Sequence, residues 1–387
     1  MRRRRLLATL AGSLVLPGTA RAASVPLEGT PSEAPAGQPA GRTASAGFQP
    51  ALPAGVRPLV FPADFGAHPK SRVEWWYATG SLTAAARLWG FQITFFRAAT
   101  GLPENPSRFA AEQIVFAHAA VTDLQARRLR HDDRVARSGF GIAAAAEGDT
   151  NVVLGDWHFR RDGGAGPSLY RASMRSASAG FAFELDFAAT QPVLLQGVAG
   201  LSRKGPRPEE SSRYYSEPQL AVAGRLELDG EPYAVTGRAW LDHEWSDAYL
   251  APEAVGWDWI GMNLDDGAAL TAFRLRRRDG TPLWAGGSWR HPGEPTRDFS
   301  PGDVTFEPGR VWTSPRSKAR YPVEWTVGTP AGRFAVRALL DDQELDSRAS
   351  TGAIYWEGLS DLVNANGARV GRGYLEMTGY AAPLVLS

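Results

Sequence analysis

The chain has 387 residues, 43% of them hydrophobic and 21% charged, with no cysteine and a formal net charge of +1. Lack of cysteine excludes disulfides, thiolate metal sites and a lipid-modified N-terminal Cys. A near-neutral chain whose one basic block lies at its very start is a poor match for nucleic acid or anionic lipid surfaces.

The first 22 residues read MRRRRLLATLAGSLVLPGTARA: arginines 2 to 5, an apolar run from Leu6 to Leu16, then Ala20-Arg21-Ala22 as a small-x-small step. That is the layout of a secretory signal peptide, and the run is too short to span a bilayer. A periplasmic or secreted protein is expected, exported by the general route or, given the paired arginines before Leu6-Leu7, by the twin-arginine route. Removing residues 1–22 takes away five arginines and no acids, so +1 becomes −4, and no transmembrane segment is left.

Residues 23–58 are dominated by Pro, Ala and Gly without apolar periodicity, which predicts a flexible linker. The rest, roughly 330 residues, exceeds the usual size of one domain. Its pattern is short runs rich in aromatic and β-branched residues, broken every ten or so positions by Gly, Pro or Asp. VEWWYATGSL (73–82), WGFQITFFR (89–97), QIVFAHAAVTD (113–123), FAFELDFAAT (181–190) and WDWIGMNL (257–264) are examples. Leu228-Asp229-Gly230 and Arg278-Asp279-Gly280 read as hairpin turns, since Asp-Gly supplies positive φ readily. An all-β protein of barrels or sandwiches follows.

The motif sequence also echoes itself. Trp75-x-Tyr77 precedes Leu82 and Phe96-Arg97, and Trp257-x-Trp259 precedes Leu264 and Phe273-Arg274. Two tandem β-barrels of similar plan would give this, joined near Asp247 to Pro252.

In that order, SRVEWWYATGSL, WGFQITFFR, RYYSEPQLAVAGRLELDGEPYAVTGRAWLDHEWS and GWDWIGMNLDDG resemble the AttH-like family of secreted bacterial proteins, which is related to the carotenoid 1,2-hydratases (hydroxyneurosporene synthases). The resemblance implies two tandem lipocalin-like antiparallel β-barrels, here divided as 59–246 and 247–385. It also implies a hydrophobic small-molecule ligand, an acyclic isoprenoid or a lipid. The hydratases of the group add water to the terminal double bond of acyclic carotenoids without a cofactor. Other members are described as secreted hydrolases or as companions of an ABC transport system, so the alternatives are a non-catalytic lipid carrier working with an ABC transport system, a secreted hydrolase, or a purely structural periplasmic protein.

Hydration of a trisubstituted alkene needs a proton donor, stabilisation of the tertiary cation, and water. A carboxylic acid kept protonated by an apolar pocket supplies the first. Indole faces supply the second through the ring quadrupole. An eight-stranded barrel is just wide enough to enclose one slender ligand. The segment WLDHEWSDAYLAPEAVGWDWIG (240–261) carries the right residue types. Catalytic candidates are Asp242, His243, Glu244, Asp258 and Glu74. Ligand-binding candidates are Trp245, Trp257, Trp259, Trp75, Trp76, Tyr77, His118, Tyr214 and Tyr215.

Strand pleating separates them. Leu241, His243 and Trp245 share one face and Trp240, Asp242 and Glu244 the other; Trp257 and Trp259 oppose Asp258, and Trp75 and Tyr77 oppose Glu74 and Trp76. The favoured site therefore joins His243 and Trp245 to an acid from another strand, with Asp242 and Glu244 as lesser partners. Plainer readings stand beside this one. Asp242-His243-Glu244 reads equally as an arginine-paired junction cluster, the tryptophans as core, Glu74 as half of an ion pair, His118 as a buried hydrogen-bonded histidine, and Tyr214-Tyr215 as a loop anchor. No Gly-x-Ser-x-Gly elbow and no His-Glu-x-x-His occurs, and the six histidines are widely spaced, so a serine hydrolase is disfavoured and neither metal nor cofactor is expected.

Overall fold

The computed structural model describes residues 52–102, 107 and 109–384; the signal-peptide reading and most of the linker reading fall outside the described residues. Strand β1 (Val73–Ala84), β2 (Arg87–Ala99), β3 (Gln113–Asp123) and β4 (Arg128–Arg137) form an up-and-down meander. β5 (Ala143–Ala145), β6 (Asn151–Leu154), β7 (Trp157–Asp162), β8 (Leu169–Ser176) and β9 (Phe181–Ala188) continue it. Short β10 (Leu194–Leu195) and β11 (Leu201–Arg203) precede the long β12 (Ser211–Leu228) and β13 (Glu231–Ser246). The sheet order is β4-β3-β2-β1-β13-β12-β9-β8-β7-β6-β5, with β10 and β11 paired to β12. Its two ends are joined by the turn at 138–142, where Gly139 bridges Ala143, so the sheet curls into a nearly closed barrel.

The chain changes sheet between Ser246 and Gly256. β14 (Gly256–Leu264), β15 (Ala269–Arg276), β16 (Pro282–Arg290), β17 (Arg297–Phe299) and β18 (Thr305–Pro308) open the second sheet. A separate ribbon, β19 (Val311–Thr313) and β20 (Arg320–Pro322), follows. Then come β21 (Glu324–Thr329), β22 (Gly332–Ala338), β23 (Glu344–Ser347), β24 (Ala353–Val363) and β25 (Arg369–Met377). Their order is β17-β16-β15-β14-β25-β24-β22-β21-β18, with β23 on β24, and every pair in both sheets is antiparallel. The all-β expectation holds. Both Asp-Gly sites sit in hairpin turns, with φ of 50° at Asp229, 87° at Gly230 and 83° at Gly280.

Alternation decides which side chains go inside. β8 and β9 bury Tyr170, Ala172, Met174, Phe183, Leu185 and Phe187 and expose the residues between. With Trp76, Trp89, Phe91, Trp157 and Phe159 these fill the interior of the first sheet, and Ile260, Met262, Tyr321, Trp325, Trp356 and Leu375 fill the second. Large aromatic side chains thus fill much of both interiors. A third cluster, including Tyr77, Trp240, Trp259, Phe273 and Tyr374, lies where the outer faces of β1 and β13 meet β14 and β25. Asn263 locks this junction, donating to Ala239 O at 3.0 Å and accepting from Gln219 N at 2.7 Å. No helix among the described residues is long and apolar enough to cross a membrane.

Candidate active site

Two hairpins of one plan meet at the junction. In the first, Glu74 lies opposite Arg97 and Trp75 opposite Phe96; in the second, Asp258 lies opposite Arg274 and Trp259 opposite Phe273. Each carboxylate turns into its own sheet and pairs with an arginine Nε, at 2.8 Å for Glu74 and 2.7 Å for Asp258. Pleating sends each indole the other way. On the third strand, Trp75 faces Glu244 of β13 and Trp259 faces Glu376 of β25. The echo in the sequence is therefore displaced by two residues: pairing to Phe-Arg matches Glu74-Trp75 with Asp258-Trp259, not Trp75 with Trp257.

Between the hairpins lies a cavity of about 210 Å³, lined from β1, β2, β3, β12 and β13 on one side and β14, β24 and β25 on the other. Half-buried Val73, Phe96, Ala98, Phe116, Ala353 and Leu384 make an apolar rim. Deeper in, the buried carboxyls Asp242, Glu244 and Glu357 and the half-buried carboxyl Glu376 stand among Trp259, Tyr214 and Tyr77, with Trp75 and Trp257 beside them. Gly261 makes room for the Trp259 ring, since a Cβ there would sit 2.3 Å from it.

The four acids differ in their partners. Asp242 accepts from Ser216 Oγ at 2.5 Å, Trp240 Nε1 at 2.6 Å and Tyr214 Oη at 2.8 Å. Burial still outweighs these bonds and pushes its carboxyl up to about 7. Burial also raises Glu244, opposed by Lys204 Nζ at 2.8 Å and by the Ser212 hydroxyl. Glu357 and Glu376 face each other directly on β24 and β25. Burial raises both, Glu376 to about 8, and for Glu357 the charge of Glu376 adds to it. No cation among the described residues pairs with either, and two such facing carboxyls retain a proton at neutral pH, because the second ionisation would place like charges together in low dielectric.

The sequence-predicted residues divide by pleat. Asp242, Glu244, Glu74, Trp257, Trp259, Trp75, Tyr77, His118 and Tyr214 line the cavity. His118 is the buried, hydrogen-bonded histidine of the plainer reading, with Nδ1 2.7 Å from Tyr355 Oη and Nε2 2.9 Å from Ser350 Oγ; burial drives it down to about 3. Asp258 does not line it: Arg274, Arg276 and Tyr380 hold it inside the second sheet.

His243, Trp245, Trp76 and Tyr215 do not line it either, so the favoured pairing of His243 with Trp245 in the ligand's space is not what forms. They occupy the inner face, where His243 Nε2 meets Glu74 Oε1 at 2.9 Å and Nδ1 meets Tyr215 Oη at 3.0 Å. His68 completes the group. Its ring stacks on Trp245 at 3.6 Å, its Nδ1 is 2.8 Å from Glu74 Oε1 and its Nε2 3.0 Å from Asp64 Oδ1. A carboxylate at each nitrogen favours the imidazolium form of His68: burial would lower its pKa, but the bonds to Asp64 and Glu74 raise it. Burial pushes His243 down and leaves it neutral. Glu74 stays ionised, since the bonds from His243 and His68 overcome its burial. His68, Glu74 and His243 are, among the described residues, the group whose ligand-type atoms converge, within 4.8 Å. Each of those atoms already has a hydrogen-bond partner, so the cluster closes as an ion-paired network.

Sequence reasoning missed Glu357 and Glu376. One signal was present: matched through Glu74-Trp75 and Asp258-Trp259, the echo assigns Glu376 the place opposite its tryptophan that Glu244 holds in the first copy.

Residues 53–380 match the AttH-like family model. The crystal structure of a protein described as an AttH from Nitrosomonas europaea is 46% identical, with a TM-score of 0.78 over 86% of this chain and 99% of that one. Kievitone hydratase from Nectria haematococca shares the fold, with a TM-score of 0.65 at 17% identity over 85% of this chain and 94% of that one. No curated protein matches in sequence.

Proposed function

The chain belongs to the AttH-like family, and from that premise we propose that it is a cofactor-free hydratase, adding water to a terminal alkene of an acyclic isoprenoid. The observation that carries this reading is the Glu357–Glu376 pair, which lines an aromatic cavity and has no ion-pair partner among the described residues. The protonated carboxyl of the pair gives its proton to the less substituted alkene carbon. The tertiary cation forms between the faces of Trp75, Trp257 and Trp259, and Asp242, fixed by three donors, adds negative charge as it ionises. Water captures the cation. The His68–Glu74–His243 network holds β1 against β13 and so positions Trp75 and Asp242.

The cavity's 210 Å³ exceeds the roughly 150 Å³ that encloses benzene, which limits the enclosed part of the ligand to roughly ten non-hydrogen atoms, two isoprene units. An acyclic carotenoid would insert one end and leave the rest outside. A non-catalytic carrier working with a transporter needs an apolar cavity but has no use for a facing pair of protonated acids. We place the protein after export, in the periplasm or outside the cell, where its substrate arrives from a membrane or from outside.

Purified protein is incubated with 2,6-dimethyl-2-octene, and separately with lycopene, in D2O. The expected product is one water heavier and carries one deuterium on carbon, and Glu376→Gln lowers its formation at least a hundredfold, as loss of a general acid does. Ligand recovered unchanged from a protein that binds it would establish the carrier instead.

A further inference from the structure

Two buried polar atoms in the cavity are left without a hydrogen-bond partner: Tyr77 Oη and Glu357 Oε1. Tyr77 is 7% exposed and Glu357 2%, and both side chains line the cavity. They belong to different sheets, Tyr77 to β1 and Glu357 to β24, and lie close enough for each to act on the other's charge, so they come together only where the sheets meet. An unpaired buried polar atom costs about 1–3 kcal/mol, and a buried water is held where two to four such atoms converge. The other acids offer no such place. Asp242 is filled by three donors, and Glu244 by Lys204 and Ser212.

We infer that Tyr77 Oη and Glu357 Oε1 bind the nucleophilic water of the hydration, with Tyr77 as a catalytic residue not identified by the donor chemistry alone. The inference rests on the hydratase reading. One water hydrogen points to Tyr77 Oη and the other to Glu357 Oε1, which leaves an oxygen lone pair directed at the cation. The steps balance. The proton leaves Glu376 for the alkene carbon, forming a C–H bond and breaking the O–H bond. The water oxygen then bonds to the tertiary carbon, and its released proton goes to Glu357. The pair ends with the single proton it began with, moved from one facing carboxyl to the other, so turnover needs no further acid or base.

Water capture competes with loss of a neighbouring proton, which would return an isomerised alkene. Tyr77→Phe removes the hydroxyl and keeps the ring, and its melting temperature, measured alongside, reports whether the variant folds. With 2,6-dimethyl-2-octene in D2O, Tyr77→Phe is expected to take up deuterium within a few-fold of the unsubstituted protein. Its ratio of alcohol to isomerised alkene should fall about tenfold or more. Uptake with an unchanged ratio overturns this inference and leaves the hydratase reading in place. No uptake by the unsubstituted protein overturns both.

Discussion

Asp242 and Glu376 hold protons for the same reason and are exploited differently. Burial raises both, to about 7 and about 8, yet Asp242 is surrounded by donors that suit a carboxylate while Glu376 faces another acid. The active form needs one proton on the pair, so the hydration rate is expected to hold through neutrality and to fall tenfold per pH unit only once both carboxyls ionise, above the value of about 8 to which Glu376 is raised. The same groups shape stability. An acid whose folded pKa lies above its unfolded value binds protons more tightly when folded, so its contribution is full below the unfolded value, 4.5 for Glu376, and lost as pH rises through about 8. Melting temperature should therefore drop between pH 6 and pH 9. Glu357→Gln removes the like-charge neighbour and should reduce that drop; an equal drop in the variant would contradict the pairing. Neither acid was legible locally. YWEG and YLEM each place one glutamate among apolar residues, and nothing within either stretch says that the two face each other.

Strands were easier to read than their faces. The runs at 73–82, 89–97, 113–123 and 257–264 all fall on strands, and the pleat argument correctly put Asp242 and His243 on opposite sides of β13. Which side faced the ligand was not readable, because every residue from Ala239 to Ser246 is buried and alternation then carries no inside–outside signal. The inner side is a structural network. Glu74→Ala would leave Arg97 as a buried charge without its carboxylate and take a bond from His68, which is expected to cost about 3–5 kcal/mol in urea denaturation, whereas Glu376→Gln should cost little. A Glu74→Ala protein of unchanged stability would remove the structural role assigned to His68, Glu74 and His243.

At the scale of the whole molecule, aromatic side chains fill much of the two sheets' interiors, and the proposed functional space is the seam between them. Each contributes a tryptophan and a glutamate in the same relation, Trp75 with Glu244 and Trp259 with Glu376, so duplication of one hairpin plan yields a cavity acidic and aromatic on both walls. The fold class was legible because strand periodicity is local; the seam was not, because it depends on how outer faces dock over more than a hundred residues of separation. Everything proposed for the site depends on carboxylic acids staying neutral there at physiological pH. Infrared spectroscopy reads this directly, through the C=O stretch of protonated carboxyl groups, which ionised carboxylates lack. At pH 7 the protein should show that band, and Glu357→Gln and Glu376→Gln should each diminish it. A spectrum without protonated carboxyl at pH 7, or a band untouched by both substitutions, would contradict the account.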